Sequence, residues 1–295
     1  MRLSTSTNIL FERTYEKPVD PLDCMEICQK AGFEVLDFCF HDLTTYDSEF
    51  MTDNWRFYME RVKAKADQLG IEFSQGHAVV YDFCRADVDH ARFETILKKC
   101  VEGAGILGIK WLVMHPSTVA DTAEPFKDSR RENIKFFTKW CAFAKEHGVD
   151  IAIENMWDCH ITPFRLYCTT AEEMVDLIDA VPGLGACWDA EHGAIMQQNQ
   201  AKALQLLGKR LKATHISDYT NNQDIHLLPY LGKTDWDDVM AAFASIDYEG
   251  DFDLEIHRYL TKMPMENVET AIRLSYEIGQ GLLQLHQEKK GTNKA

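Results

Sequence analysis

Eight short apolar or β-branched runs recur along the chain, and each gap between them holds one helical pattern. The runs start roughly 27 to 41 residues apart. They cover residues 2–10, 33–40, 71–79, 110–115, 150–155, 184–189, 211–217 and 252–257. The helical patterns cover Pro18–Ala31, Asn54–Leu69, His90–Leu107, Arg130–His147, Ala171–Val181, Ala194–Leu207, Trp236–Ser245 and Glu266–His286. This alternation predicts parallel strands joined by crossover helices.

Local signals place the helix ends close to the strands. Gly32, Gly70, Gly108 and Gly148 each follow a helical pattern, where a left-handed residue commonly ends a helix. Thr170 and Glu173 have the spacing of a capping box. No Gly-x-Gly-x-x-Gly or Walker loop marks a doubly wound nucleotide-binding sheet. We therefore predict an α/β fold with one (β/α)8 TIM barrel domain over residues 1–286 and a polar C-terminal tail over 287–295.

Composition excludes several classes of protein. The 31 basic and 47 acidic residues give a net charge of −16, which makes nucleic acid an unlikely partner. No apolar run of about 18 residues and no basic-then-apolar start is present, so we expect neither a membrane span nor a secretory signal. Nine cysteines without a Cys-x-x-Cys pair indicate reduced thiols, and we expect a cytoplasmic location.

Ionisable side chains stand where the predicted strands end or, for Asp224 and His226, in the loop after the seventh strand. The C-terminal ends of barrel strands converge on one mouth, so these residues become neighbours there. They are His77, His115, Glu154, Asp189, His192, His215, Asp224, His226 and Glu255. The pattern predicts a metal or catalytic site at this mouth.

Glu154, Asp189, His215 and Glu255 form the core of the predicted site. Three carboxylates and one imidazole suit Mn²⁺, Mg²⁺ or Co²⁺, and Zn²⁺ is also compatible. Four clustered ionisable groups would be costly to bury without a cation. A strand-end histidine is as often a hydrogen-bonded structural residue as a ligand, so the sequence leaves the roles of the other histidines open.

Other residues at the mouth have weaker signals. Trp157 and Trp188 are expected to form a dry wall for the substrate, although aromatic side chains at such places often only pack. Asp218 is a candidate for orienting the imidazole of His215. His41 and His257 are expected at the surface or rim.

These residues resemble the motifs of the xylose isomerase-like barrel superfamily over nearly the whole chain. The similarity is greatest to its sugar isomerase and epimerase branch, which includes D-tagatose and D-psicose 3-epimerases. It is carried by Ile153-Glu154-Asn155, Asp189-x-x-His192, His215-Ile216-x-Asp218, Asp224-Ile225-His226, Pro229-Tyr230-Leu231-Gly232, Trp236 and Leu254-Glu255.

The resemblance to the epimerases implies roles for these positions. Residues matching Glu154, Asp189, His215 and Glu255 hold one divalent metal in those enzymes. The two glutamates also serve there as acid and base, and the residue matching His192 contacts the sugar. One departure is Asn221, which stands where the epimerases carry an arginine that anchors the substrate.

The chain also resembles the apurinic-site endonucleases of the same superfamily. In those enzymes three zinc ions are held by residues matching His77, His115, Glu154, Asp189, His192, His215, Asp224, His226 and Glu255. All nine residue types are present here, but the net charge of −16 opposes duplex binding.

The sequence thus predicts a divalent-metal-dependent epimerase or isomerase for a small sugar or polyol. It would abstract a proton next to a metal-bound carbonyl and pass through an ene-diolate. The alternatives are a lyase or dehydratase for a keto-sugar or inosose, a zinc-dependent phosphodiesterase, and a non-catalytic barrel subunit. The sequence is also compatible with a homo-oligomer and does not decide the oligomeric state.

Overall fold

The computed structural model describes residues 1–14, 16–158, 165–220 and 223–292, with the backbone alone at 223, 224 and 292. The strands within these ranges are β1 (Arg2–Ser6), β2 (Val35–Cys39), β3 (Glu72–His77), β4 (Trp111–Met114), β5 (Asp150–Glu154), β6 (Gly185–Asp189), β7 (Leu211–His215), β8 (Asp218–Thr220), β9 (Gln223–Leu227) and β10 (Asp251–Leu254). The α-helices are α1 (Pro21–Ala31), α2 (Trp55–Leu69), α3 (His90–Leu107), α4 (Pro125–Glu146), α5 (Ala171–Ala180), α6 (Ala190–Ile195), α7 (Gln200–Leu207), α8 (Trp236–Ser245) and α9 (Met265–Thr292).

Eight of these strands form one parallel sheet that closes on itself. The order is β10-β1-β2-β3-β4-β5-β6-β7, and β8 and β9 form a separate antiparallel hairpin. The sheet closes beyond β7, where the Ile216 amide donates to Asp253 O at 2.7 Å and the Glu255 amide donates to Ile216 O at 3.0 Å. The prediction of a single (β/α)8 TIM barrel is confirmed.

The predicted helix-ending signals act as expected. All four glycines named from the sequence adopt a positive φ. At the start of α5, the Glu173 amide donates to Thr170 Oγ1 at 3.3 Å. These caps bring the chain from each helix back to the sheet within a few residues.

Several predicted boundaries differ from the structure. The first strand ends at Ser6, and Thr7–Leu10 form a 3-10 turn whose Asn8 amide donates to Ser6 Oγ. The predicted helix Ala194–Leu207 is two helices, because Asp189 caps α6 and Asn199 caps α7. Helix α4 starts earlier than expected, at Pro125, where a proline at the first position is favourable. Helix α9 continues through residues 287–292, which belong to the predicted polar C-terminal tail.

The barrel interior is apolar on one side and polar on the other. Val113, Ala152, Cys187 and Ala213 form a small cluster inside β4, β5, β6 and β7. The strands on the other side carry buried polar residues, which are Ser4, Ser6, Asp37, Gln75 and Asp253. The larger apolar core lies between the sheet and the helices. The polar half of the barrel interior lies beneath the mouth.

Among the described residues, we find no helix that is both long and apolar enough to cross a membrane.

Candidate metal centre

Four side chains predicted to bind a metal converge at the C-terminal ends of the strands. Glu154 ends β5, Asp189 ends β6, His215 ends β7, and Glu255 follows β10. Their ligand atoms all lie within 4.8 Å of one another, and all four residues are buried. His215 Nδ1 lies 3.1 Å from Glu154 Oε1 and 3.2 Å from Glu255 Oε2. We call these four residues the tetrad.

Three potential ligand atoms of the tetrad are buried without a hydrogen bond to any described residue. Within the described part of the chain, Asp189 Oδ2 and both ring nitrogens of His215 are buried and make no hydrogen bond. Buried polar atoms are nearly always satisfied, because an unmade hydrogen bond costs about 1–3 kcal/mol. Three carboxylates and one imidazole nitrogen are the donors that a divalent cation takes. The tetrad therefore fits one such ion.

Electrostatics strengthen this fit. Burial raises the pKa of Asp189 to about 7, although His192 opposes the shift. Burial also disfavours ionised Glu255, but the positive charge of His215 and His226 outweighs it and lowers the pKa of Glu255 to about 2. The pKa of Glu154 is likewise held well below its usual value, against burial, by His215 and His115. A site that needs nearby positive charge to keep its glutamates ionised would gain from a cation.

A second group of ligand atoms shares Glu154. His115 Nε2 lies 3.1 Å and His77 Nε2 3.4 Å from Glu154 Oε2, and the two Nε2 atoms are 3.0 Å apart. His77 Nδ1 lies 2.8 Å from the carbonyl of Ala78, which assigns the hydrogen to Nδ1 and leaves Nε2 as an acceptor. Two imidazole nitrogens and one carboxylate oxygen thus point at a common space and could hold another metal ion.

His192 and His226 border the tetrad from another direction. His192 Nδ1 lies 2.8 Å from the carbonyl of Asn155 and 3.5 Å from Glu154 Oε1. His226 Nδ1 lies 3.0 Å from the carbonyl of Glu255. Both rings line the cavity above the tetrad. The side chain of Asp224, the remaining residue of the predicted set, lies outside the described residues, as does Asn221.

The cavity at the mouth has a volume of about 400 Å³. Trp157 lines it, as expected for a substrate wall. Trp188 does not, and the expectation was wrong for this residue. Successive side chains of a strand point to opposite faces, so Trp188 faces the helices when Asp189 faces the mouth. Its ring is fully buried, and Nε1 donates to Gln200 Oε1 at 2.6 Å.

A family model for the xylose isomerase-like TIM barrel matches residues 25–278. The chain belongs to this family. A relative from Sinorhizobium fredii (strain NBRC 101917 / NGR234), uncharacterized protein y4fM, is 29% identical over 178 residues. The match covers 56% of this chain and 53% of the relative, so it spans about half the length of that protein.

Solved structures of other proteins show the same barrel. A D-psicose 3-epimerase crystallised in the presence of D-fructose matches with a TM-score of 0.74 and 14% identity, over 96% of this chain and 99% of that one. The IOLI protein with a binding zinc atom matches with a TM-score of 0.77 and 19% identity, over 97% and 99%. At these identities the likeness establishes the fold.

Several cavity residues of this family member were missed at sequence level. Asn8 lies in the turn after β1, and its Nδ2 donates to Glu255 Oε1 at 3.2 Å. Phe11, Glu12 and Asp42 also line the cavity, as do His41 and His257, which were expected at the surface or rim. The rings of His257 and His226 have centroids only 4.1 Å apart. Asn8 and His41 follow the ends of β1 and β2, and this position after a strand is the sequence signal that both share with the predicted site residues.

Asp218 has a different role from the one expected. It does not orient His215, because its carboxylate is engaged by the loop before α8. The amides of Tyr230, Gly232 and Thr234 donate to it at 3.0–3.1 Å, and so does Trp236 Nε1. Asp218 therefore shapes the segment that follows the β8–β9 hairpin.

Glu191 anchors that hairpin, and no sequence signal pointed to it. Its buried carboxylate accepts hydrogen bonds from Ser217 Oγ at 2.6 Å, the Ile225 amide at 2.7 Å and the His226 amide at 2.8 Å. Glu191 lies two residues after Asp189, in α6. The hairpin that carries His226 is thereby tied to the strand end that carries a candidate metal ligand.

Proposed function

We propose that this family member is a divalent-metal-dependent epimerase or isomerase acting on a small sugar or polyol. The observation that carries the proposal is the tetrad, with three buried carboxylates and one imidazole within 4.8 Å and with unsatisfied donor atoms. Glu154, Asp189, His215 and Glu255 would hold the ion. Mn²⁺, Mg²⁺, Co²⁺ and Zn²⁺ are all compatible with these donors. The sugar epimerases among its structural neighbours support the same reading.

The two glutamates would move the proton. A bound divalent cation would supply Lewis acidity that makes the carbon next to a substrate carbonyl easier to deprotonate. Glu154 and Glu255 each lie within 3.2 Å of one nitrogen of His215, so the two carboxylates are close together, and we propose that both act on one substrate. One carboxylate would take the proton and leave an ene-diolate, and Asn8 would hold Glu255 in place through Oε1. Return of a proton to the opposite face gives an epimer, and return to the neighbouring carbon gives an isomer.

The cavity lining favours an uncharged substrate. Glu12, Glu154 and Glu255 contribute carboxylates, and the described lining contains no lysine or arginine. Burial raises the pKa of Asp42, which also lines the cavity, to about 8, so it adds little negative charge at pH 7. The three carboxylates of the tetrad carry more negative charge than one divalent cation neutralises, so a phosphate or carboxylate group on the substrate would still face repulsion here. We therefore propose an unphosphorylated sugar or polyol, with Trp157 against its apolar face.

Solvent exchange tests this function directly. The purified protein, loaded with Mn²⁺, is incubated in D2O with a panel of free ketoses, and deuterium incorporation is followed by NMR. We expect exchange next to the carbonyl of at least one ketose, and loss of more than about 100-fold of the exchange rate in Glu255→Gln. Glu72→Gln changes an exposed glutamate outside the cavity and should behave like the unmodified protein. Absence of exchange across the whole panel in the metal-loaded protein would overturn the proposal.

A zinc-dependent phosphodiesterase is the second candidate, because His77, His115 and Glu154 form a further ligand group. That activity would require several metal ions per chain and cleavage of abasic duplex DNA. The net charge of −16 disfavours it. A lyase or dehydratase would use the tetrad but release water or another leaving group, which product analysis detects. A non-catalytic barrel would bind no metal.

We also propose a cytoplasmic location. The described cysteines are free thiols, and a reducing compartment such as the cytoplasm keeps thiols in this state. The homo-oligomer remains a prediction that light scattering can check.

A further inference from the structure

We propose that Asp37, in the middle of β2, is a positioning residue for His215. The carboxylate of Asp37 would accept a hydrogen bond from Nε2–H of His215 and so fix the orientation of that imidazole. The inference rests on the proposed role of His215 as a metal ligand. It adds a residue that lies outside the tetrad and outside the cavity lining.

The orientation of His215 determines which nitrogen carries hydrogen. Nδ1 faces Glu154 and Glu255, so Nδ1 is the atom that would bind a cation. A neutral imidazole that binds through Nδ1 must carry its hydrogen on Nε2. Nε2 points away from the tetrad, and Asp37 Oδ2 lies 4.0 Å from it.

Asp37 is built to receive this hydrogen. It is fully buried, and it accepts hydrogen bonds from Ser6 Oγ to Oδ1 at 3.1 Å and from Gln75 Nε2 to Oδ2 at 3.2 Å. A carboxylate offers about four acceptor positions, so Asp37 can take another donor. Ser6 and Gln75, on the flanking strands, hold the carboxylate in place.

The neighbouring Asp253 is arranged differently. Its Oδ1 accepts from Ser4 Oγ at 2.6 Å, and it lies with Asp37 and His215 in one buried group. No ion pair within 4.0 Å joins Asp253 to His215 among the described residues, whereas Asp37 reaches that distance. A distance of 4.0 Å exceeds a hydrogen bond, so this role requires His215 and Asp37 to approach each other by about 1 Å when the ion binds.

Carboxylate partners of this kind fix the ring orientation and hydrogen position of metal-binding histidines, and their loss typically weakens metal binding about 10–100-fold. In Asp37→Asn the amide can present an N–H group to the Nε2–H of His215, which disfavours the required hydrogen position. The number of ions bound at saturation should not change, because Asp37 is not itself a ligand.

The experiment measures Mn²⁺ binding to the full chain by calorimetry and by the electron paramagnetic resonance signal of free Mn²⁺. We expect Asp37→Asn to raise the Kd about 10–100-fold with unchanged stoichiometry. The control is Asp251→Asn, because Asp251 is another buried aspartate, on β10, that pairs with Arg2. Its Kd should stay within about two-fold of the parent. In the Zn²⁺-loaded protein, long-range ¹H–¹⁵N NMR should show hydrogen on Nε2 of His215.

If Asp37→Asn fails to fold, Ser6→Ala tests the same link by removing one hydrogen bond to Asp37, with an expected rise in Kd of about two- to five-fold. A Kd unchanged in a folded Asp37→Asn, a lower stoichiometry, or hydrogen on Nδ1 would overturn the inference. Because binding is measured without sugar, an inactive protein that still binds Mn²⁺ would refute only the proposed function. A parent protein that binds no divalent metal would refute both.

Discussion

Glu154 is the residue that both candidate ion sites share. Its Oε1 faces His215 in the tetrad, while Oε2 faces His77 and His115. We expect Glu154→Gln to abolish bound metal and proton exchange together, with Mn²⁺ affinity lowered more than about 100-fold, because one amide cannot replace two ionic contacts. Elemental analysis after dialysis and the D2O assay measure both effects. Retention of full metal content would contradict this role.

His115 separates a one-metal from a multi-metal mechanism. It belongs to the second ligand group and not to the tetrad. If the tetrad ion alone performs sugar chemistry, His115→Gln should keep one ion per chain and lower kcat by no more than about 10-fold. A steady-state assay with elemental analysis distinguishes the outcomes. Loss of all activity together with one equivalent of metal would favour the multi-metal alternative.

At the residue scale, the sequence was informative where a ligand directly ends a strand. Glu154, Asp189 and His215 stand at such ends, and barrel geometry then brings them together. Asn8 was missed because the first strand stops at Ser6 and a 3-10 turn redirects the chain. The exclusion of Trp188 follows from strand alternation, which could have been applied to the sequence once Asp189 was assigned to the mouth.

At the element scale, the β8–β9 hairpin is the feature that the sequence did not predict. Its first strand has only three residues, too few to show alternation. The break between α6 and α7 was not predicted, because one carboxylate does two things there: Asp189 is a candidate ligand, and it also caps α6. Long, periodic helices such as α2 and α3 were predicted with their ends. Short elements depend on tertiary hydrogen bonds, such as those of Glu191, that are invisible in one sequence.

The Glu191 anchor predicts a selective effect on the hairpin. In Glu191→Gln, the side-chain NH2 replaces an acceptor that faces the amides of Ile225 and His226. We expect a loss of about 1–3 kcal/mol of hairpin stability and a roughly tenfold rise in KM, with Mn²⁺ affinity unchanged. Hydrogen exchange at Ile225 and His226 measures the opening.

Ser217→Ala provides a graded control, because it removes one of the same hydrogen bonds and leaves both amide contacts in place. Its effect on hairpin exchange should be smaller. Equal protection of the two amides in the parent and in Glu191→Gln would show that other contacts hold the hairpin.

At the scale of the whole molecule, the closed barrel could be predicted from the sequence. The division of the barrel interior into an apolar and a polar half could not. Regular spacing of strands and helices implies the eight-fold order. Whether Ser4, Asp37 and Asp253 face inward depends on the bulges and shear of the closed sheet, such as the register shift between Leu36 and Asp37. The polar interior half is therefore a consequence of assembly, and it gives His215 a polar environment below the mouth.

Ionisation of the buried Asp189 carboxyl should reduce the stability of the metal-free protein at neutral pH. The pKa of Asp189 is raised by burial to about 7, above the ordinary value for an aspartate. When folding raises the pKa of a carboxyl group, the folded protein becomes less stable as the pH rises above the pKa that the group has in the unfolded chain. This loss of stability grows until the pH exceeds the pKa that the group has in the folded protein. The contribution of Asp189 should therefore lower the free energy of unfolding of the metal-free protein as the pH rises from about 4 to about 7.

Asp189→Asn tests whether this carboxyl lowers the stability of the metal-free protein while contributing to metal binding. The Asn Oδ1 can still accept from the His192 amide, and its NH2 replaces the unsatisfied Oδ2. We expect the metal-free variant to melt a few degrees higher at pH 7.5 and to lose the stability change assigned to Asp189 between pH 4 and pH 7. The parent should gain about 2.7 kcal/mol at Mn²⁺ concentrations near 100 times its Kd, whereas the variant should gain little. Calorimetry with EDTA or Mn²⁺ measures both, and a variant that Mn²⁺ still stabilises fully would remove Asp189 from the ligand set.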